Sequence, residues 1–599
     1  MKKQLHTVYI NLIISFVLGV IIWAFFGIYY RHHLHYQEQL QLFLFNWEYF
    51  VEKISRPGGL AVYLANFITQ FFYHSSLGAL LISFLLVILR TQISMISYDI
   101  SKKLVYALLT CVPSLLFAIL LCDENVHLSG LIAVLFNLYG VIIYKRINSN
   151  TARTVYLLIM IPFLYGLFGY AVFTFPALCL FMEWTIIRTY KKSSLLIITI
   201  ACIAIMALCP FIIKMILPQY PISRFWLAGD YYRLVTINYP FILYVLLSVV
   251  IVPLLFKWLP NPKKSKGKII TQILQLLFLF ITIDWLFAIA ADWEKEELMG
   301  YDYYVRTEKW NNIIDKANKR SPDSPQTVAA LNLALSKKDY LGDYMFYYFQ
   351  NGADGLIPNH TVDFILPLMI GETYYHMGLV NSAQRFIFEG MESIPDYQKS
   401  SRCLQRLAET NLINGNYEVA EKYLRILQNT LFYRDWANQV ISFLRDENRI
   451  NTHATWGRLR KFNLQNDYLF INEDKEFLFK QLFIHNPENK MALEYLLGLN
   501  LLNKDLNHFK ENIQTGIKKR SYDKIPIIYQ QALVYLENVV GSNADFSEYI
   551  SSEVREQYEN FQKSCSATVG NEGTIRRNFG NTYWYYLLFR GDPFIKANY

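Results

Sequence analysis

Apolar runs of membrane length follow one another from residue 8 to residue 291, and then stop. About 18–20 apolar residues are needed to carry a helix across the hydrocarbon layer, and no water is present there to satisfy an irregular backbone. Each such run is therefore read as a helix. Nine candidates stand in order: Val8 to Tyr30, Ser75 to Ile93, Leu104 to Cys122, Leu128 to Tyr144, Val155 to Tyr170, Val172 to Ile187, Leu195 to Leu217, Tyr239 to Phe256 and Ile269 to Ala291. Beyond residue 292 charges are frequent and no run reaches that length. The expected fold class is all-α: a polytopic membrane domain over 1–292, then a helical domain in water. The chain is 18% charged against roughly 25% for a soluble protein, as that division requires.

The first run is too long for a cleaved signal peptide and lacks a small-residue cleavage site, so it reads as a retained anchor. Orientation follows from Lys and Arg, which are held back on the cytoplasmic side. With the N-terminus inside, sixteen of them fall on cytoplasmic segments and six on the other side before the ninth span. The 33 apolar-rich residues from Val155 to Ile187 are divided by a hairpin near Ala171 to Pro176, because Arg153 and Arg188 flank both ends. Nine spans put the C-terminus outside. The net charge of +9 is then largely loop charge facing anionic lipid, and no nucleic-acid partner is implied.

Five of the seven cysteines lie in predicted spans, where a thiol acts as a small apolar group. Cys403 and Cys565 fall in the exported half, 162 positions apart, with no motif around them.

The C-terminal half shows helical periodicity at roughly 34–37 residues. In its clearest unit, Ile370, Gly371 and Tyr374 mark a first helix, Gly378 a turn, Ala383, Ile387 and Gly390 a second helix, and Pro395 the end. Leu407, Ala408, Asn411, Gly415, Tyr417, Ala420, Leu424 and Leu427 repeat the pattern, and Leu497, Asn500, Phe509 and Ile513 form a weaker copy. These residues resemble the tetratricopeptide repeat, which implies an α-solenoid. The division expected is a connector over 293–325, a TPR-like domain over 326–540 and closing helices over 541–599. The aromatic run Thr582 to Tyr586 is expected to cap the solenoid core, the alternative being a partner or membrane contact.

Two exported loops, 31–74 and 218–238, offer places for chemistry. The first reads as an amphipathic helix, a Pro57-Gly58-Gly59 break and an interfacial helix from Leu60 to Tyr73. It carries Glu38, Glu48 and Glu52. One reading makes Glu38 or Glu48 a general base, with Arg56, Arg224 or Arg233 holding a phosphate. The other makes these groups surface ion pairs, such as Glu52 with Arg56. His32, His33, His35 and Glu38 have the composition of a ligand set, but imidazoles at a membrane boundary more commonly serve as interfacial polar groups, and no metal site is assigned. Glu183 and Asp284 are the ionisable residues inside spans, and such groups default to function or to a partner on another span. GxxxxGKS, GxGxxG, HExxH and GxSxG patterns are absent, and no cytoplasmic segment is long enough to form an ATP-using domain.

Three stretches carry a family resemblance: Tyr36-Gln37-Glu38-Gln39, the Pro57-Gly58-Gly59-Leu60 turn leading to Gln70-Phe71-Phe72, and Thr582-Tyr583-Trp584. The chain resembles an uncharacterised family of multi-pass membrane proteins from Bacteroidota, which implies a Gram-negative inner membrane with the solenoid in the periplasm. Its layout is also similar to that of membrane glycosyltransferases using polyprenyl-phosphate sugars, in which the first exported loop holds a catalytic carboxylate. That likeness implies a lipid-linked sugar as donor and Glu38, or Glu48, as the base; the lone Glu between two Gln departs from the acidic motif those enzymes carry. The competing classes are thus such an enzyme, with no other cofactor, a scaffold whose solenoid binds an envelope protein, and, ranked last, a transporter suggested by Asp284.

Overall fold

The computed structural model describes residues 2–169, 171–188, 190–227, 239–359, 365–394, 398–464, 474–539, 546–567 and 572–590. Every regular element among them is helical. The chain divides into two compact units. One comprises Met1–Glu296 with Ile394–Ser401 and Ile426–Asp435; the other comprises Glu297–Ser393, Arg402–Arg425 and Trp436–Tyr599.

In the first unit seven helices are long and apolar enough to cross a membrane: Tyr9–Tyr29, Ser75–Ser101, Ser129–Arg146, Asn150–Phe168, Lys192–Ile216, Pro240–Trp258 and Ser265–Ala290. The other two of the nine expected spans are shorter, Leu104–Leu120 and Thr174–Ile187. The former opens as a tight 3-10 stretch, Leu104–Cys111, whose greater rise per residue brings its length to about 30 Å. The latter, 14 residues long, reaches only about 21 Å. The expected division after Val155 is present: left-handed backbone at Gly169 and Ala171 ends one helix before Thr174 begins the next. Asn137 donates to the Ala171 carbonyl, whereas Tyr144 and Arg153 both donate to Glu183. The second helix thus returns to the end at which the first began.

The first span packs antiparallel to Ser75–Ser101. Trp23 donates to the Ser76 carbonyl, Ser83 to that of Gly19, and Arg90 to both the carbonyl and side chain of Asn11. Polar groups face inward and the outward surface is apolar, with Phe16 73% and Met215 83% exposed. That inversion is what a lipid surround selects.

The second unit is built of helix hairpins. Ile365–Met377 and Val380–Ser393 join at Gly378, whose φ of +97° is adopted at little cost only by glycine. Gly371 lies under Ile387, so a Cβ there would meet its Cδ1 at 3.0 Å. Ser401–Ile413 leads through Gly415 (φ +78°) into Tyr417–Gln428, and Lys490–Leu502 leads into Leu506–Lys518. Phe509 of the weaker copy is wholly buried against Tyr529. Within 293–325 the helix Trp310–Lys319 buries Trp310, Ile313 and Ala317. Tyr583 to Tyr586 are buried: Trp584 donates to the Gln531 carbonyl and Tyr586 to that of Leu502. Cys403 and Cys565 are free thiols. Pro395 lies outside the described residues.

Candidate functional site

The segment RHHLHYQEQL, expected to be amphipathic, forms the helix Arg31–Leu40 and buries eight of its ten residues. A helix this polar withdraws from water only if its groups are satisfied. Here the surroundings supply partners. The Glu296 carboxylate accepts from the backbone N–H groups of His32 and His33 at 2.8 and 2.9 Å, capping the helix N-terminus with an anion. His33 Nε2 lies 2.9 Å from the Leu121 carbonyl and Gln37 donates to that of Val126. A carbonyl only accepts, so Nε2 carries the His33 proton. Burial pushes this imidazole down to about 4, and it is neutral at pH 7.

Glu38 sits at the other end of this helix, 5% exposed. Ser401 Oγ and Tyr433 OH both donate to it at 3.1 Å. Both donors belong to the segments of the C-terminal half that fold with the first unit. Backbone bonds run alongside: Leu42 N–H to the Lys399 carbonyl and Phe45 N–H to that of Asn429. Tyr73 stacks on Phe432 at 4.9 Å. The histidines nearby are equally enclosed, His32, His33 and His35 all being buried.

The remaining predicted residues are dispersed. Glu48 is exposed on the short helix Trp47–Ile54, beside an exposed Trp47. Glu52 and Arg56 form the expected pair, at 3.8 Å. Arg56 also lies over the ring of Tyr220, 5.9 Å from its centroid, so the first loop does reach the start of the second. Arg224 is half-buried in the short helix Ile222–Leu227, and Arg233 lies outside the described residues. Glu183 is buried and paired with Arg153 at 2.7 Å, near the C-terminal end of its helix. Asp284 is exposed on its helix, six residues before Ala290 and so nearer the C-terminal end than the middle. The structure brings neither Glu48 nor Asp284 to Glu38.

A model of a family of unknown function, DUF6057, matches residues 6–590. The chain belongs to the DUF6057 family. No curated protein and no solved structure matches it.

This DUF6057 chain holds a second polar centre, whose members are scattered between residues 302 and 456 and so form no linear motif. In the helix-hairpin unit Nη1 of Arg402 donates to both carboxylate oxygens of Asp302, at 2.9 and 2.7 Å. Arg406 bonds both oxygens of Glu372, at 3.3 and 2.7 Å, and also Glu409. Burial works against the Arg406 charge, yet Glu372 and Glu409 hold the guanidinium well above its ordinary range. Its Cζ stands 3.7 Å from the centroid of the Tyr375 ring. His376, wholly buried, is pushed well below the usual imidazole range by burial and then by Lys337, Arg406 and Arg458. The available signal was local: Glu372 and His376, then Arg402, Arg406 and Glu409, recur at helical spacing. One further cluster, Glu476, Asp505 and His508, lies near the surface, and Asp505 there caps Leu506–Lys518 through the His508 N–H.

Proposed function

We propose that this protein is a scaffold of a bacterial inner membrane, of the Bacteroidota type. On this reading it crosses the membrane nine times, with its N-terminus inside. Its C-terminal half is held in the periplasm as a TPR-like platform for an envelope protein. The observation that carries the reading is the environment of Glu38. A general base must lie within hydrogen-bond reach of the proton it removes. Glu38 instead receives two hydroxyl donors from residues 401 and 433 and is shut from solvent. The polar loop helix therefore works as a fastening for segments 394–401 and 426–435.

The glycosyltransferase reading, with a polyprenyl-phosphate sugar as donor, is second. It is favoured by one contact: Arg56 of the first loop reaches Tyr220, at the start of the loop that carries Arg224.

Native mass spectrometry of the gently solubilised full chain separates the two. A stoichiometric protein partner, with Glu38→Gln lowering protein abundance, supports the scaffold. A bound polyprenyl-phosphate or sugar-loaded lipid, with Glu38→Gln normally folded and abundant, overturns it in favour of the enzyme.

A further inference from the structure

The charged centre of the helix-hairpin unit opens into a cavity of about 170 Å³. Its floor is Tyr375, Val440 and Trp456, all buried; Arg406 and Glu409 form its walls, and the exposed Glu308 and Gln439 stand at the rim with Trp436. An apolar cavity of ~150 Å³ accommodates one benzene ring, so this one takes a single six-membered ring.

The cavity has an unmet hydrogen-bonding group. The Tyr375 hydroxyl is buried, the residue being 1% exposed, and it has no hydrogen-bond partner among the described residues. Burying a hydroxyl without a partner is costly, and a ligand hydroxyl would remove that cost.

The chemistry of the occupant follows from what the walls reject. Glu308 and Glu409 repel an anion, and the one cation in the wall, Arg406, is already paired with Glu372 and Glu409. A cationic ligand needs free aromatic faces. Three of the four aromatic rings in the lining are taken: Arg406 lies over Tyr375, Arg449 over Phe443 at 4.1 Å, and His453 stacks on Trp456 at 3.9 Å, which leaves Trp436 alone at the rim and no aromatic cage for a cation. A wholly apolar ring would leave the carboxylates and the Tyr375 hydroxyl unmet. A neutral ring bearing several hydroxyls meets all of these conditions. Its O–H groups donate to Glu308, Glu409 and Gln439, one accepts from Tyr375, and its C–H face lies on Trp436.

We infer that this cavity binds a neutral pyranose unit of a saccharide, through the juxtaposition of Glu308, Glu409, Tyr375 and Trp436 on the Arg406–Glu372 frame. The site is independent of Glu38 and of the membrane-spanning helices.

The test is saturation-transfer NMR and tryptophan-fluorescence titration on the full chain in nanodiscs. The probes are glucose, galactose, mannose and N-acetylglucosamine, against glucuronate, glucosamine and inorganic phosphate. Saturable binding of at least one neutral sugar, weakened about tenfold by Tyr375→Phe, is expected. Because the hydroxyl has no partner among the described residues, Tyr375→Phe should not lower the unfolding temperature. Trp436→Leu, at a half-buried position, should weaken the same sugar without unfolding the chain. The inference is overturned by absence of binding of every neutral sugar, by tighter binding of glucuronate or glucosamine, or by neutral-sugar binding that both variants leave unaltered.

Discussion

Removing the Tyr433 hydroxyl should open one defined place in the first unit. Tyr433→Phe keeps the ring, which packs on Tyr73 at 5.7 Å, and deletes only the O–H that donates to Glu38. Leaving a buried acceptor short of a donor costs about 1–3 kcal/mol. Ser401 remains as the other donor, so the lower half of that range applies. At roughly 2 kcal/mol, local opening of the fastening becomes about 30-fold more frequent. The amides that report it are those of Leu42 and Phe45, whose bonds to the Lys399 and Asn429 carbonyls break when segments 394–401 and 426–435 lift away. Hydrogen exchange of the full chain in nanodiscs, followed by mass spectrometry, reads this directly. Faster exchange is expected in peptides covering 41–46 and 426–435, with Lys490–Leu502 unaltered. Glu38→Gln in the same background should add less than it does alone, because both changes act on one bond. Unchanged exchange at 41–46, or acceleration spread equally over Lys490–Leu502, refutes the reasoning.

Three further outcomes are expected. Glu494 is buried, accepts from Ser336 at 2.6 Å, and is pushed up from 4.5 to about 7 by burial, with Ser336 acting in the opposite sense. The folded state therefore holds this proton more tightly than the unfolded one. Its contribution is full below pH 4.5 and is lost as pH rises through about 7, a change on the order of 3 kcal/mol. Glu494→Gln should match wild type at pH 4.5 and exceed it in unfolding temperature at pH 8. Gly378→Ala should cost about 2–3 kcal/mol, because φ is +97° and the new Cβ would stand 2.7 Å from Cβ of Phe462; Gly415→Ala, with φ of +78° and open space around it, should cost about 1 kcal/mol, and thermal unfolding ranks the two. A membrane-impermeant maleimide added to spheroplasts should label one residue, Cys565, the other six thiols being buried; failure to label before lysis would contradict export of the C-terminal half.

The legible and illegible parts of this molecule differ by one physical condition, the identity of the medium outside. Periodicity reveals a helix and its buried face when the polar side faces water. In the second unit that holds, and the hairpin at Gly378 could be read down to the contact of Gly371 with Ile387. Apolar length also marked the seven long membrane helices. For Arg31–Leu40 the same rule misleads. Its polar residues signify an exposed face only if water is the alternative, and here they turn inward to Glu296, Leu121, Val126, Ser401 and Tyr433. None of those partners is near in sequence, so no local pattern could announce them. Charge follows the same logic: Arg90, one of the sixteen basic residues assigned from sequence to cytoplasmic segments, is 1% exposed and held by Asn11 and Ser15 of the first span. Desolvating an isolated guanidinium or carboxylate is expensive, so each one buried in this chain specifies a distant partner. Read that way, the polar residues of the apolar half become its most informative contacts. They fix which helices meet, while the apolar residues between them record only that lipid lies outside.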